Sequence, residues 1–105
     1  MNAFTERVGR GAALLDERRP DWWRLVDLDR LDIGSPCDCI AGQLYMGGGN
    51  YRNWTMVMDS LGLHAEADEA AHGFDGPGLT GDYTALTEAW RTLIARRREQ
   101  AQVTA

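Results

Sequence analysis

An all-α fold is the expectation for this chain, and three observations predict it. Apolar residues recur at i, i+3, i+4 and i+7 in several separate stretches, Pro and Gly punctuate the gaps between them, and the composition, 44% hydrophobic and 26% charged, is that of an ordinary globular protein. A length of 105 residues suits one modest core. The sequence therefore predicts a compact single-domain bundle of four to five short helices spanning 1–105 around a central helical hairpin, with 101–105 as a frayed tail.

Thr5 is placed to cap a first helix running to about Arg18, with Glu6 at its positive end and Arg18 and Arg19 at its negative end. Val8, Gly11, Ala12 and Leu15 form its buried side. Small residues there admit a second helix closely, although Gly9 and Gly11 each cost roughly 1 kcal/mol relative to Ala. Pro20 turns the chain and opens a short helical segment through Trp22, Trp23 and Val26. Neighbouring residues on a helix point about 100° apart, so one tryptophan enters the core and the other lies at its rim or on the surface. From Asp27 to Gly34 two patterns compete: Leu25, Leu28 and Leu31 keep a helical spacing, whereas Val26, Leu28 and Ile33 suit a brief extended piece. Asp27, Asp29 and Asp32 read as caps and turn formers.

The central hairpin occupies Ser35 to Leu61. Ser35 can cap its first helix, Pro36 suits the first helical position, and Cys37, Ile40, Ala41, Leu44 and Tyr45 make one apolar stripe. Gly47, Gly48 and Gly49 form the hinge, and Asn50 can cap the second helix, where Tyr51, Trp54, Val57, Met58 and Leu61 share a side. Gly62 is placed to stop it. The stretch from Leu63 to Ala71 favours a short acidic helix ending near Gly73, and Gly73 to Asp82 reads as a long loop. Asp82 or Thr80 can cap the last helix, whose stripe is Tyr83, Leu86, Ala89, Trp90, Leu93 and Ile94. The hairpin is expected to pack against the first and last helices.

Charge and composition exclude several function classes. All 11 basic residues are arginine, which removes lysine nucleophile and Schiff-base chemistry. The net charge of −5 is segregated: ten carboxylates and two arginines from Asp27 to Asp82 give that stretch −8, against +1 before it and +2 after it. A basic nucleic-acid footprint is absent from the middle of the chain, and any polyanion contact would have to use Arg96, Arg97 and Arg98. No apolar run approaches the roughly 18 to 20 residues of a membrane span, and MNAFTERVGRG lacks the apolar region of a signal peptide. The expectation is a cytoplasmic protein that binds neither nucleic acid nor membrane.

Each candidate site carries a structural alternative. Cys37, Cys39, His64 and His72 are a set that zinc accepts, yet Cys37 and Cys39 would sit about 200° apart on a helix, so only an irregular first turn would bring both to one ion. The competing assignment is a core Cys37 and a half-exposed Cys39. Glu69-Ala70-Ala71-His72 matches one half of a carboxylate-bridged di-iron motif and has no second copy, which leaves a helix ending in a histidine. Gly47-Gly48-Gly49 lacks the context of a phosphate loop, and neither serine, Ser35 or Ser60, lies in a nucleophile elbow. No catalytic constellation and no cofactor follow from these residues. Four tryptophans, Trp22, Trp23, Trp54 and Trp90, exceed what a core this small requires, so the surface offered to a partner is assigned to Trp22 or Trp23, against the alternative that all four fill the core of a small bundle.

The motif Ser35-Pro36-Cys37-Asp38-Cys39 followed by Gly42-Gln43-Leu44-Tyr45 resembles a group of small proteins from actinobacteria and their phages. Pro20 with Trp23, Leu61-Gly62-Leu63, His72-Gly73-Phe74-Asp75 and Leu86-Thr87-Glu88-Ala89-Trp90 extend that resemblance over most of the chain. It implies a cytoplasmic accessory protein, phage- or prophage-encoded, that acts by contact with a bacterial protein. Taken together, the leading expectation is a protein-interaction module contacting a host protein or a second copy of itself, as a homodimer, through a Trp-bearing surface beside an acidic face. The alternative is a Cys/His zinc-binding protein.

Overall fold

In the computed structural model, residues 3–35, 38–46, 51–75 and 83–104 are described. They form five α-helices, α1 (Ala3–Arg18), α2 (Trp22–Leu25), α3 (Tyr51–Ser60), α4 (Glu66–Ala71) and α5 (Thr84–Thr104), with a π-helical turn at Gly42–Met46 between α2 and α3. No strand occurs among the described residues, and none of their helices is long and apolar enough to cross a membrane. The predicted all-α single domain is what the chain adopts.

The helix α1 begins at Ala3, so Thr5 lies inside its first turns instead of capping it. Its buried face is the predicted one: Val8, Ala12 and Leu15 are at most 1% exposed, and Gly11 is buried with them. The helix α5 packs along α1 and α2, placing Leu86, Trp90 and Ile94 wholly inside, and its helical path continues to Thr104. Of the expected stripe, Leu86, Trp90 and Ile94 are buried, and Tyr83, Ala89 and Leu93 are partly buried against the core. Trp90 is the hub of this packing. Its ring stacks on Phe74 with centroids 5.6 Å apart and receives Trp22 edge-on at 5.7 Å and 88°. Its indole Nε1–H donates to the Gly73 carbonyl at 2.6 Å, so the one polar atom of the ring is satisfied in the core.

Two helices end in the same way, and glycine is the reason. At the end of α3, Gly62 takes φ +84°, the Leu63 N–H reaches the Met58 carbonyl at 2.9 Å and the Gly62 N–H reaches Asp59 at 3.0 Å. At the end of α4, Gly73 takes φ +75°, with Phe74 N–H to Glu69 at 3.0 Å and Gly73 N–H to Ala70 at 3.1 Å. Both are Schellman motifs, in which a left-handed residue lets the chain return and satisfy carbonyls the helix leaves open. Each then drives its following apolar residue, Leu63 or Phe74, into the core.

The hairpin departs from its predicted form. Its first arm turns helically at Ile40 and Ala41 and then widens into the π turn. A π turn carries more residues per revolution than an α-helix, so Tyr45 falls off the Ala41 line and stands 38% exposed, while Ile40, Ala41 and Leu44 stay buried as predicted. The arm packs chiefly against α2 and α3, whereas the main helix pairing of the fold is α1 with α5. Pro36, Cys37, the Gly47 to Asn50 hinge and the Thr80 or Asp82 cap lie outside the described residues, as do the side chains of Tyr51 and Trp54.

Between α2 and the π turn the backbone is irregular, and it is held by side chains reaching from regular elements. Arg98 of α5 donates to the carbonyls of Trp23 and Val26 at the end of α2, at 2.9 and 2.5 Å. Arg91 donates to Leu28 and also pairs with Glu88, Arg19 donates to Leu44 at 2.6 Å, and the Thr87 hydroxyl accepts from the Ile33 N–H. Gln43 closes the segment by accepting from the Asp27 N–H at 2.6 Å and donating to the carbonyls of Asp27 and Asp38. Asp27 and Asp32 form the short-range turns read from the sequence, accepting from the N–H groups of Asp29 and Gly34.

Candidate functional site

The Trp22-Trp23 pair divides as the geometry of a helix requires. Trp22 is fully buried, its Nε1–H donating to Asp16 at 3.0 Å, so it cannot meet a partner, and the assignment of Trp22 as a contact residue is corrected. Trp23 lies at the rim, half-buried. The Arg24 guanidinium covers one side of its ring at 4.4 Å from the centroid, within the range where a cation is attracted to the aromatic face. Beside it opens a cleft of roughly 430 Å³ lined by Trp23, Arg24, Arg98, Ala101 and Gln102. The setting of Trp23 is therefore basic, not the acidic face expected from the charge of the neighbouring sequence. Leu25 follows at 50% exposure, an apolar side chain left in solvent by the shortness of α2.

Of the three clustered arginines, two are committed to the fold. Arg97 donates to both carboxylate oxygens of Asp16 at 2.7 and 2.9 Å, and Arg98 closes α2. Arg96 is exposed and makes no ion pair among the described residues. The basic run is thus mainly a set of structural clamps, a role that a run of three arginines in the sequence does not signal.

The proposed metal set is dispersed among different jobs. Cys39, expected to be half-exposed, is 2% exposed; its Sγ accepts from the Gly42 N–H at 3.3 Å, and burial raises the thiol pKa above its ordinary value. A thiol kept protonated in this way is a poor metal ligand and a poor nucleophile. His72 bonds its own helix at the Asp68 carbonyl, and His64 stands in solvent beside Asp59. Cys37 lies outside the described residues, among which no three His, Cys, Asp or Glu side chains converge on a common point.

Two carboxylates titrate in opposite senses. The Arg97 guanidinium holds Asp16 below the ordinary carboxylate range, against the pull of burial and with help from the Trp22 indole. Glu69, 7% exposed on α4, is raised, first by burial and then by the negative charges of Asp75, Glu66, Asp59 and Asp68. A lowered folded-state pKa adds stability that is present above the unfolded value and lost as pH falls through the folded one; a raised pKa adds stability at low pH that is lost as pH rises. At neutral pH Asp16 therefore supports the fold and Glu69 opposes it. Glu69→Gln is expected to raise the melting temperature at pH 7, with the gain shrinking toward about pH 4, where a free glutamate is itself largely protonated. Melting curves across that range check it, and a lower melting temperature at pH 7 would mean that the charged carboxylate is compensated in the fold.

The arrangement defines an all-α domain with a surface cleft built from an aromatic ring and guanidinium groups. Comparison with known proteins gives no match: no family model, no curated protein and no solved structure is significantly similar to the chain.

Proposed function

We propose that the protein is an interaction module that docks a protein partner at the Trp23 cleft. The observation that carries this reading is a tryptophan left half-buried at the rim, with a cleft at its side, in a chain whose Trp22 and Trp90 are wholly buried. A rigid aromatic ring with an apolar body and a neighbouring charge is the kind of group that supplies much of the free energy at protein interfaces. Arg24, exposed beside the ring, selects a partner surface bearing carboxylates beside apolar side chains. The resemblance of the SPCDC and GQLY motifs supports a bacterial host protein as that partner and the cytoplasm of an actinobacterium, or of its phage-infected cell, as the setting.

The test is co-purification from an actinobacterial lysate with the parent protein, Trp23→Ala and Arg24→Glu, each first shown to keep its circular dichroism. Both substitutions are expected to lower recovery of one and the same captured protein by about tenfold or more, the scale of an interface residue whose loss costs above 1.4 kcal/mol. Equal recovery by all three would sink the reading.

A further inference from the structure

The helix α4 is fastened to the molecule at one end. Its last turn and the residues after it carry the attachments: Arg10 of α1 donates to the Ala71 carbonyl at 2.8 Å, the His72 carbonyl lies against Gly11, and Trp90 donates to the Gly73 carbonyl at 2.6 Å. Its first turn is open to solvent. Ala65 stands at the cap position with no side-chain hydrogen bond, and Ala65, Glu66, Ala67 and Asp68 are all exposed. Six residues fall well short of the roughly 12 to 15 that let a helix persist alone, so α4 keeps its shape only while it is docked.

The one buried residue of α4 is an acid. Glu69 is 7% exposed, and its carboxyl group makes no hydrogen bond or ion pair among the described residues. The charges that bear on it are of its own sign: Asp75, Glu66, Asp59 and Asp68 add to burial in raising its pKa. From α1, against which α4 packs, no cation answers it. Arg10 is engaged by the Ala71 carbonyl, and Arg7, whose Nη1 is buried without a hydrogen-bond partner, forms no ion pair with it. The histidines are placed elsewhere: His72 bonds the Asp68 carbonyl and His64 stands beside Asp59. The helix α5 meets this end of α4 through the uncharged Trp90 ring. A buried carboxylate without a counter-charge is costly, whereas the neutral acid is tolerated. From the one-ended docking and the unpartnered acid on the buried side we infer that α4 is a proton-operated latch: it lies on α1 while Glu69 is protonated, and on ionisation it swings off, freeing Gly73 and Phe74 from Trp90. A matched control lies in the same chain. The turn closing α3 has the same Schellman form, with the Leu63 N–H on the Met58 carbonyl, and the acid beside it, Asp59, is exposed.

The experiment is amide hydrogen exchange at the Phe74 and Leu63 N–H groups from about pH 4 to 8, read as protection factors so that the intrinsic pH dependence of exchange cancels. Docked α4 carries one more proton than released α4 between the released and the docked pKa of Glu69. Protection is therefore complete below the ordinary glutamate value and is lost as pH rises toward the docked one. At Phe74 it is expected to fall by up to tenfold per pH unit across that interval, the slope of a single linked proton, while Leu63 changes little. The indole N–H of Trp90 should follow Phe74, and that of Trp22, held by Asp16, should not. Glu69→Gln is expected to keep Phe74 protected at every pH, whereas His72→Gln, which removes the other titratable group near that turn, leaves the pH dependence in place. A flat Phe74 profile in the parent chain would overturn the inference, as would a slope that survives Glu69→Gln or disappears with His72→Gln. Loss of protection at Phe74 and Leu63 together would equally overturn it, because the event would then be global unfolding.

Discussion

Replacing Gly11 by Ala is expected to lower the melting temperature of this protein by more than ten degrees, whereas the same change at Gly9, two residues earlier on α1, is expected to raise it. A Cβ at Gly11 would lie 2.0 Å from the His72 carbonyl oxygen and 2.9 Å from two atoms of the Trp90 ring. Neither neighbour has room to yield. The carbonyl is backbone at the end of α4, where Arg10 also fastens α1 by donating to the Ala71 carbonyl at 2.8 Å, and Trp90 is packed on both Phe74 and Trp22. The helices must separate, and overpacking of that sort costs about 1 to 3 kcal/mol or more. At roughly 4 to 8 °C per kcal/mol for a domain of this size, the upper part of that range exceeds ten degrees. At Gly9 an added Cβ meets nothing within 4 Å, so the helix keeps only the gain of roughly 0.5 to 1 kcal/mol that Ala has over Gly. Thermal melts of the two variants beside the parent decide it, and a Gly11→Ala protein that melts within three degrees of the parent would mean that α1 and α4 are not in contact as described.

That pair of glycines also marks what can be read from the chain before its fold is known. Both sit on one helix, and its apolar pattern puts only Gly11 on the inner face: Val8, Gly11, Ala12 and Leu15 are buried because residues three and four apart share a side of a helix, while Gly9 is exposed. The pattern cannot give the distance to whatever lies across that face, which depends on a carbonyl contributed more than sixty residues later. The helix stops at Gly62 and Gly73 were legible for a local reason, since only a residue tolerant of positive φ closes a Schellman motif cheaply. The exposure of Tyr45 was not. It arises from the π turn, which an apolar stripe counted at 3.6 residues per turn does not anticipate.

The candidate site divides along the same line. Adjacent tryptophans on one helix must diverge, so that only one is available at the surface; which of them turns inward is set by Asp16 and Arg97, one contributed by α1 and the other by α5. The cleft beside Trp23 is lined by Arg24 and Arg98, and the sequence next to Trp23 supplies only the first of them. Arg98 arrives there from α5, drawn by the open carbonyls at the end of α2, where a cation complements the helix dipole.

Trp90→Ala is expected to be the most destabilising single truncation in the chain, for reasons that all meet at one ring. Removing a buried tryptophan costs about 3 to 5 kcal/mol, through lost transfer free energy and the cavity left behind. Here the loss also takes away the stack on Phe74, the edge contact with Trp22 and the donor to the Gly73 carbonyl, which sits at the turn closing α4. Against a total stability of about 5 to 15 kcal/mol, that removes between about a fifth and all of it. Trp90→Phe separates the contributions: it keeps an aromatic ring and removes the N–H, leaving a buried carbonyl without that donor at a cost of about 1 to 3 kcal/mol. Urea denaturation should therefore rank the parent first, Trp90→Phe next and Trp90→Ala last, with Trp23→Ala close to the parent because its ring is at the rim. If Trp23→Ala proves as destabilising as Trp90→Ala, then Trp23 is a packing residue and the cleft beside it belongs to the core. The same denaturation series thus tests both the centre of the fold and the surface on which the proposed interaction depends.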